Sequence, residues 1–207
     1  MTIQTAESQS DLIPEEIISI LKEGNKRFVN KRLTDRDLME QVVGTSSGQF
    51  PFAVVISCID SRVPPEIIFD LDLGDVLSIR VAGNVINNDV LGSLEFACKI
   101  AGVKLIVVMG HTNCGAVKGA CNNVELGNLT SLLDKIKPAI DLVQQQNGTL
   151  SSDDDIQDQV ARINVSLSID TILNGSTILR EMINSNAIRC AEGMYSVETG
   201  EVELNLL

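Results

Sequence analysis

The sequence contains no tryptophan, one tyrosine and five phenylalanines among its 207 residues. Aromatic residues make up only 3% of the chain, whereas hydrophobic residues make up 44%. We therefore predict a folded chain whose core is built mainly from isoleucine, valine and leucine. This length suits one α/β domain, so we expect residues 1–207 to form a single domain with a loose polar lead over residues 1–10.

Positive charge is also scarce. The chain has 16 lysines and arginines against 28 acidic residues, a formal net charge of −12. Such a surface repels phosphate backbones, which argues against a nucleic-acid partner. No apolar run approaches the ~20 residues that a membrane span needs. The opening stretch MTIQTAESQSDLIPEE has neither a basic segment nor an apolar signal region, so we expect a cytoplasmic protein without a membrane partner.

The cysteines do not suggest a disulfide framework. There are five, an odd number, and they are widely spaced in a chain with no visible export signal. Free buried thiols or metal ligands are the better interpretation. The chain has one histidine, His111.

Apolar runs that alternate with helical patterns predict an α/β fold. The run FPFAVVISC is typical of a buried parallel strand, and DVLSIRVAG and VKLIVVMGH predict a second and a third strand. The C-terminal segment predicts two strands joined at Thr199-Gly200. The other segments predict helices, of which the first ends at Gly24 and a long one is kinked or restarted near Pro138. A polar loop is expected at GTLSSDDD. The expected architecture is a mostly parallel central sheet flanked by helices.

Cys58 and His111 each come at the end of a predicted strand, and Cys114 begins the next predicted helix. Chemistry in such folds collects beyond the carboxyl ends of the strands. Two thiolates and an imidazole form a ligand set that suits zinc and leaves one tetrahedral position open. A cysteine that merely packs in the core, beside a structural histidine, fits the spacing equally well. Cys98 is expected to pack in the core instead. Cys121 lies two helical turns beyond Cys114, too far along the helix to join this set easily.

Asp60 and Arg62 follow Cys58 at alternate positions in SCIDSR. If this stretch is extended, Cys58 and Asp60 project to the same side. A bidentate arginine would keep the carboxylate ionised and aimed, whereas an unrestrained Asp60 could take the open metal position. An ordinary surface ion pair is the alternative.

These residues resemble the β-class carbonic anhydrases. The stretches CIDSR, VPPEIIFD, GDVLSIRVAGN, SLEFA and GVKLIVVMGHTNCGAV carry the likeness, which extends from Glu23 to the C-terminal GMYSVETGEV. The resemblance implies a zinc lyase that reversibly hydrates carbon dioxide to bicarbonate. It also implies N-terminal helices that pack on a partner subunit, in a homodimer or a multiple of dimers.

The same resemblance implies the roles of individual residues. Cys58, His111 and Cys114 would bind Zn2+, and Asp60 with Arg62 would form the catalytic dyad. The substrate-binding positions would be Gln49, Leu77 and Phe96.

Several positions depart from familiar branches of that family. Phe96 stands where one branch has tyrosine, and Leu77 where it has phenylalanine. Val55 replaces the tryptophan of the bicarbonate-inhibited branch, although Arg80 matches its arginine, so we do not expect that regulation. Two other functions fit the same motifs: hydrolysis of CS2 or COS, and a structural zinc subunit closed by Asp60.

Overall fold

A computed structural model describes residues 3–147 and 154–207. The helices are α1 Ala6–Asp11, α2 Pro14–Val29, α3 Leu38–Thr45, α4 Pro65–Ile68, α5 Asn88–Glu95, α6 Gly115–Cys121, α7 Gly127–Leu133, α8 Lys137–Asn147, α9 Asp154–Gly175 and α10 Thr177–Asn184. The strands are β1 Ala53–Ser57, β2 Val76–Arg80, β3 Leu105–His111, β4 Arg189–Tyr195 and β5 Val202–Leu206. The predicted loop at 148–155 lies outside the described residues, except that 154 and 155 begin α9.

The five strands form one sheet in the order β2-β1-β3-β4-β5. The first four strands run parallel, and β5 is antiparallel to β4. This confirms the predicted mostly parallel sheet. In the central pair, Ser57 at the end of β1 lies opposite Met109, and β3 continues from there to His111. The carboxyl ends of these two strands therefore meet at one edge of the sheet.

The central strands β1 and β3 are buried on both faces, as their continuous apolar runs predict, whereas the edge strand β2 is only partly buried. On β1, Ala53 and Val55 pack with Ile17 and Leu21 of α2. Val54 and Ile56 project to the opposite face, which α5, α9 and α10 cover. A third apolar cluster, between α6, α8 and α9, surrounds Cys58 and Cys114. The edge that carries the strand ends is thus backed by a dry core.

Two local predictions from the sequence are wrong. Helix α2 runs through Gly24 to Val29 instead of ending at the glycine. A Cβ at Gly24 would lie 1.8 Å from the carbonyl oxygen of Phe69, so the glycine allows a close backbone approach rather than a helix stop. The expected loose lead contains α1, which Thr5 caps, and Gln9 Nε2 donates to the carbonyls of Pro51 and Ala101 at 2.6 and 2.8 Å.

The predicted kink near Pro138 is confirmed. A short 3-10 turn at Asp134–Ile136 separates α7 from α8, and the proline lies in the first turn of α8, where its missing N–H is tolerated. Within the two described ranges, no helix combines the length and the apolar character required to cross a bilayer.

Candidate metal centre and active site

Three potential metal ligands converge at the carboxyl edge of the sheet. Cys58 follows β1, His111 ends β3, and Cys114 is the N-cap residue of α6. One ligand atom from each of the three side chains lies within 4.8 Å of the others, and all three residues are buried. The structure thus brings together the three residues that the sequence predicts as ligands. We call them the metal cluster.

The histidine ring has a defined tautomer. His111 Nδ1 lies 2.9 Å from the carbonyl oxygen of Thr112, and because a carbonyl only accepts, Nδ1 must carry the proton. Nε2 is then left with its lone pair, and this buried atom has no hydrogen-bond partner. A buried acceptor without a partner is costly. A metal ion bound at Nε2 would remove that cost, so the cluster fits a metal.

The two thiols lie within hydrogen-bonding distance of each other. Cys58 Sγ and Cys114 Sγ are 3.9 Å apart. The hydrogen bond from Cys114 is the largest cause that lowers the pKa of Cys58, to about 4, against the opposing effect of burial. The same contact, together with burial, raises the pKa of Cys114. The contact between the two sulfurs thus favours a thiolate at Cys58, which is the form of cysteine that binds a metal ion.

Asp60 and Arg62 form a bidentate pair beside the metal cluster. Arg62 Nε and Nη2 donate to Asp60 Oδ1 and Oδ2 at 2.9 and 2.8 Å, and the Arg62 amide donates to Oδ1 at 3.0 Å. These bonds, above all the side-chain bond from Arg62, lower the pKa of Asp60 to about 2. Asp60 Oδ2 also lies 4.0 Å from His111 Nε2, so the ionised carboxylate faces the metal cluster.

Comparison with known proteins decides the family. The family model for carbonic anhydrase matches residues 53–202, which include the metal cluster and the Asp60–Arg62 pair. Carbonic anhydrase 2 of Mycobacterium tuberculosis is 35% identical over 190 residues, which cover 89% of each protein. The chain belongs to the β-carbonic anhydrase family.

Other carbonic anhydrases agree with this placement. The enzyme of Mycolicibacterium smegmatis is 36% identical over 190 residues, again 89% of each protein. A β-carbonic anhydrase structure from Aspergillus fumigatus superposes with a TM-score of 0.73 at 27% identity, covering 92% of this chain and 89% of that one. A tetrameric β-carbonic anhydrase from Sordaria macrospora shares the fold, with a TM-score of 0.73 at 24% identity over 78% of this chain and 84% of that one.

A backbone amide and an arginine side chain beside the β-carbonic anhydrase site hold Cys58 in place. The Gly83 amide donates to Cys58 Sγ at 3.3 Å. Arg80, on the neighbouring strand β2, donates through Nε to the carbonyl of Cys58 at 3.1 Å and through Nη2 to the carbonyl of Asp60. The sequence marks Arg80 only through the family resemblance, and it gives no sign of the contact from Gly83, which depends on chain geometry.

Two of the three predicted substrate-binding residues lie together, apart from the metal cluster. Leu77 and Phe96 line one open cavity of about 610 Å3 between β2 and α5, and Phe96 is 51% exposed. The residues that line this cavity do not include the metal cluster or Asp60. Gln49 is exposed on the segment that precedes β1.

The remaining cysteines lie outside the metal cluster, as the sequence predicts. All five cysteines are free thiols. Cys98 and Cys190 are buried in the same apolar cluster, and burial raises their pKa values to about 12 and about 11. Cys121 ends α6, two turns beyond Cys114. Val55, in the place of the family tryptophan, is fully buried on the face of β1 that packs against α2.

Proposed function

We propose that this β-carbonic anhydrase hydrates carbon dioxide reversibly at a zinc ion held by Cys58, His111 and Cys114. The observation that carries the proposal is the unpartnered His111 Nε2 within the metal cluster, beside a carboxylate that faces it. Zinc bound by these three residues would keep a position for water and would lower the pKa of that water to about 7, which supplies the nucleophile at neutral pH.

Asp60 and Arg62 supply orientation in this proposal. Asp60 stays ionised at every pH above its pKa of about 2, so it only accepts hydrogen bonds. It would accept one from the attacking solvent molecule and turn the lone pair of that molecule towards the carbon of the substrate. Arg62 occupies both oxygens of Asp60 and is itself tied to the carbonyl of Asn113 at 3.3 Å.

That arginine also bears on the alternative of a closed structural site. The two bonds from Arg62 hold Asp60 in one orientation, which argues against its moving to act as a fourth metal ligand. Hydrolysis of CS2 or COS requires the same cluster and stays an alternative prediction. Parallel assays of CO2 hydration and CS2 or COS hydrolysis on one preparation separate the two reactions.

Substitution of a ligand tests the proposed function directly. We expect Cys58→Ser to abolish zinc binding and CO2 hydration, because an alcohol is a far poorer zinc ligand than a thiolate. Cys98→Ser is the matched control, since it changes a buried thiol outside the metal cluster, and we expect it to keep both properties. Zinc content by atomic emission and stopped-flow hydration measure the outcome. Full activity in a metal-free variant would overturn the proposal.

The assembly proposed here is a homodimer or a multiple of dimers, in which the N-terminal helices pack on a partner subunit. Helix α3 supports this, because Leu38, Met39, Val42 and Val43 are 46–70% exposed on eight residues of helix. We further propose that Gln49, Leu77 and Phe96 bind the substrate. In the assembly, these three residues of one subunit would lie beside the metal cluster of the other subunit. Light scattering of the wild type and Val43→Asp tests the interface, and a monomeric wild type would contradict it.

Three broader assignments also remain proposals. We propose that residues 1–207 form one domain, and the single sheet that contains all five strands supports it. We propose a cytoplasmic location, which the five free thiols favour because a reducing compartment preserves them. The net charge of −12 supports the absence of nucleic-acid partners.

A further inference from the structure

The turn after β2 passes directly beside the metal cluster. Gly83 lies in a 3-10 turn, Ala82–Asn84, and its amide donates to Cys58 Sγ at 3.3 Å. The φ of Gly83 is 64°, and an added Cβ would lie 2.8 Å from Ile136 Cδ1 and 3.2 Å from Ala116 Cβ. The conformation that aims this amide at the sulfur is thus one that a residue with a side chain would strain.

Helix α9 holds the other side of the same residue. Asn164 Nδ2 donates to the carbonyl oxygen of Gly83 at 2.9 Å, and Asn164 is 3% exposed. One turn further along α9, Ser168 Oγ donates to the next carbonyl, that of Asn84, at 3.4 Å. The amide and the carbonyl of Gly83 are therefore fixed from opposite sides, by a thiol of the metal cluster and by a buried asparagine.

A bond from an amide to a metal-bound thiolate changes the metal site. It is charge-assisted, and it draws electron density from the sulfur, so the sulfur donates less to the ion. The bond also restrains the position of the sulfur before the ion arrives. Its strength depends on the position of the Gly83 N–H, and the bond from Asn164 restrains this position by holding the carbonyl of the same residue, in the next peptide plane.

We propose that Asn164 is a positioning residue for the metal centre, because it holds Gly83 so that the amide keeps its hydrogen bond to Cys58. This inference rests on the proposed metal site. It assigns a role in tuning the metal to a helix that supplies no ligand. It also explains why an uncharged amide side chain is buried where α9 crosses the turn.

The experiment replaces zinc with NMR-active cadmium in the full chain. Wild-type protein should show a scalar coupling between cadmium and the Gly83 amide proton, and slow exchange of that proton. Asn164→Ala should weaken or abolish the coupling and speed the exchange. It should also lower zinc affinity about tenfold, because losing the restraint on the position of the sulfur outweighs the gain in its donation to the ion. Ser168→Ala is the matched control, since it removes a bond from the same helix face to the same turn but leaves Gly83 held. We expect wild-type values for it.

Asn164→Leu provides a second variant with the same side-chain branching, which covers the case that the alanine variant does not fold. Its side chain has no donor for the Gly83 carbonyl, so the same losses are expected. The inference is overturned if the wild type shows no coupling to Gly83, or if a folded Asn164 variant matches Ser168→Ala in coupling and affinity. If the wild type binds no cadmium or zinc, the proposed metal site fails as well.

Discussion

Two aspartates ten residues apart, on either side of α4, are each paired with arginine, yet their surroundings differ. Asp60 lies at the metal cluster with its side chain 17% exposed, and its partner Arg62 is 51% exposed. The side chain of Asp70 is fully buried, and its partners Arg27 and Arg36 are 39% and 14% exposed. One ion pair faces the site, and the other lies inside the fold.

The hydrogen bonds make the contrast sharper. Both oxygens of Asp70 are occupied: Arg36 and Arg27 donate to them, as do the amide and the hydroxyl of Thr34. Burial alone raises the pKa of Asp70, but the hydrogen bonds from Arg36, Arg27 and Thr34 outweigh it and lower the pKa. Asp60 has one arginine partner and still faces the metal cluster.

The difference teaches that an Asp–Arg pair does not reveal its role by itself. Both oxygens of Asp70 accept hydrogen bonds from α2 and from the segment between α2 and α3. Asp70 therefore joins these parts to the end of α4 and stabilises the fold. Asp60 keeps capacity for a group in the site, so it orients. Burial and the number of donors separate the two roles, and both can be tested with the same substitution.

The largest effect is expected at the buried aspartate. Asp70→Asn should lower the free energy of unfolding by about 3 kcal/mol, because two arginines lose their buried counter-charge. Asparagine also tolerates the left-handed backbone of Asp70, whose φ is 48°, so backbone strain adds little. Urea denaturation measures the change. Asp60→Asn is the matched control, and it should change stability by less than ~1 kcal/mol because its partner is exposed.

Activity should show the reverse order. Asp60→Asn should lower kcat about 100-fold, or about 2.7 kcal/mol of transition-state stabilisation, because the amide can donate and no longer fixes the direction of the solvent lone pair. Zinc content should not change. Asp70→Asn should keep the wild-type kcat per folded zinc site. Turnover of Asp60→Asn as fast as wild type would remove the orienting role and with it the distinction between the two aspartates.

The sequence alone predicts the Asp60 side of this comparison better than the Asp70 side. Cys58, Asp60 and Arg62 lie within one short motif at a strand end, so local spacing fixes their chemistry. Asp70, in contrast, meets Arg27 and Arg36 across about forty residues of chain. No short-range pattern encodes that meeting. It follows from how α2 packs on α4, where Gly24 permits the close approach to Phe69.

The same reasoning explains which parts of the fold could be predicted. Strands β1 and β3 are buried on both faces, so their apolar runs are unambiguous. Helix α1 is short and polar, and its stability comes from its cap and from the distant contacts of Gln9. The contact of Gly83 with Cys58 is likewise tertiary. The pattern of apolar residues along the sequence indicates which elements are buried. Single contacts between distant parts of the chain cannot be predicted in this way, because they form only in the assembled fold.

A third aspartate of the same region, Asp75, extends the comparison to a carboxyl group that accepts a hydrogen bond from a backbone amide instead of from arginine. Its Oδ2 accepts from the amide of Asp72 at 2.8 Å. Burial, with the nearby charge of Asp72, raises its pKa from 3.8 to about 6. The folded state therefore holds this proton more tightly than the unfolded state. The stability that the proton contributes is complete below pH 3.8 and is lost as the pH rises through about 6.

Asp75→Asn should remove this pH dependence and so be the smallest of the three effects. Its amide oxygen still accepts from Asp72 and never ionises, so at pH 7 the variant should be more stable than wild type by about 1 kcal/mol, after allowance for solvent at this half-buried group. Near pH 4 the two proteins should have equal stability, because Asp75 is then largely protonated. Denaturation of both at pH 4, 5, 6 and 7 measures the difference. If the difference in stability between the two proteins stays constant over this range, burial does not hold the proton on Asp75. Asp75 would then resemble Asp70, which is ionised in the folded protein.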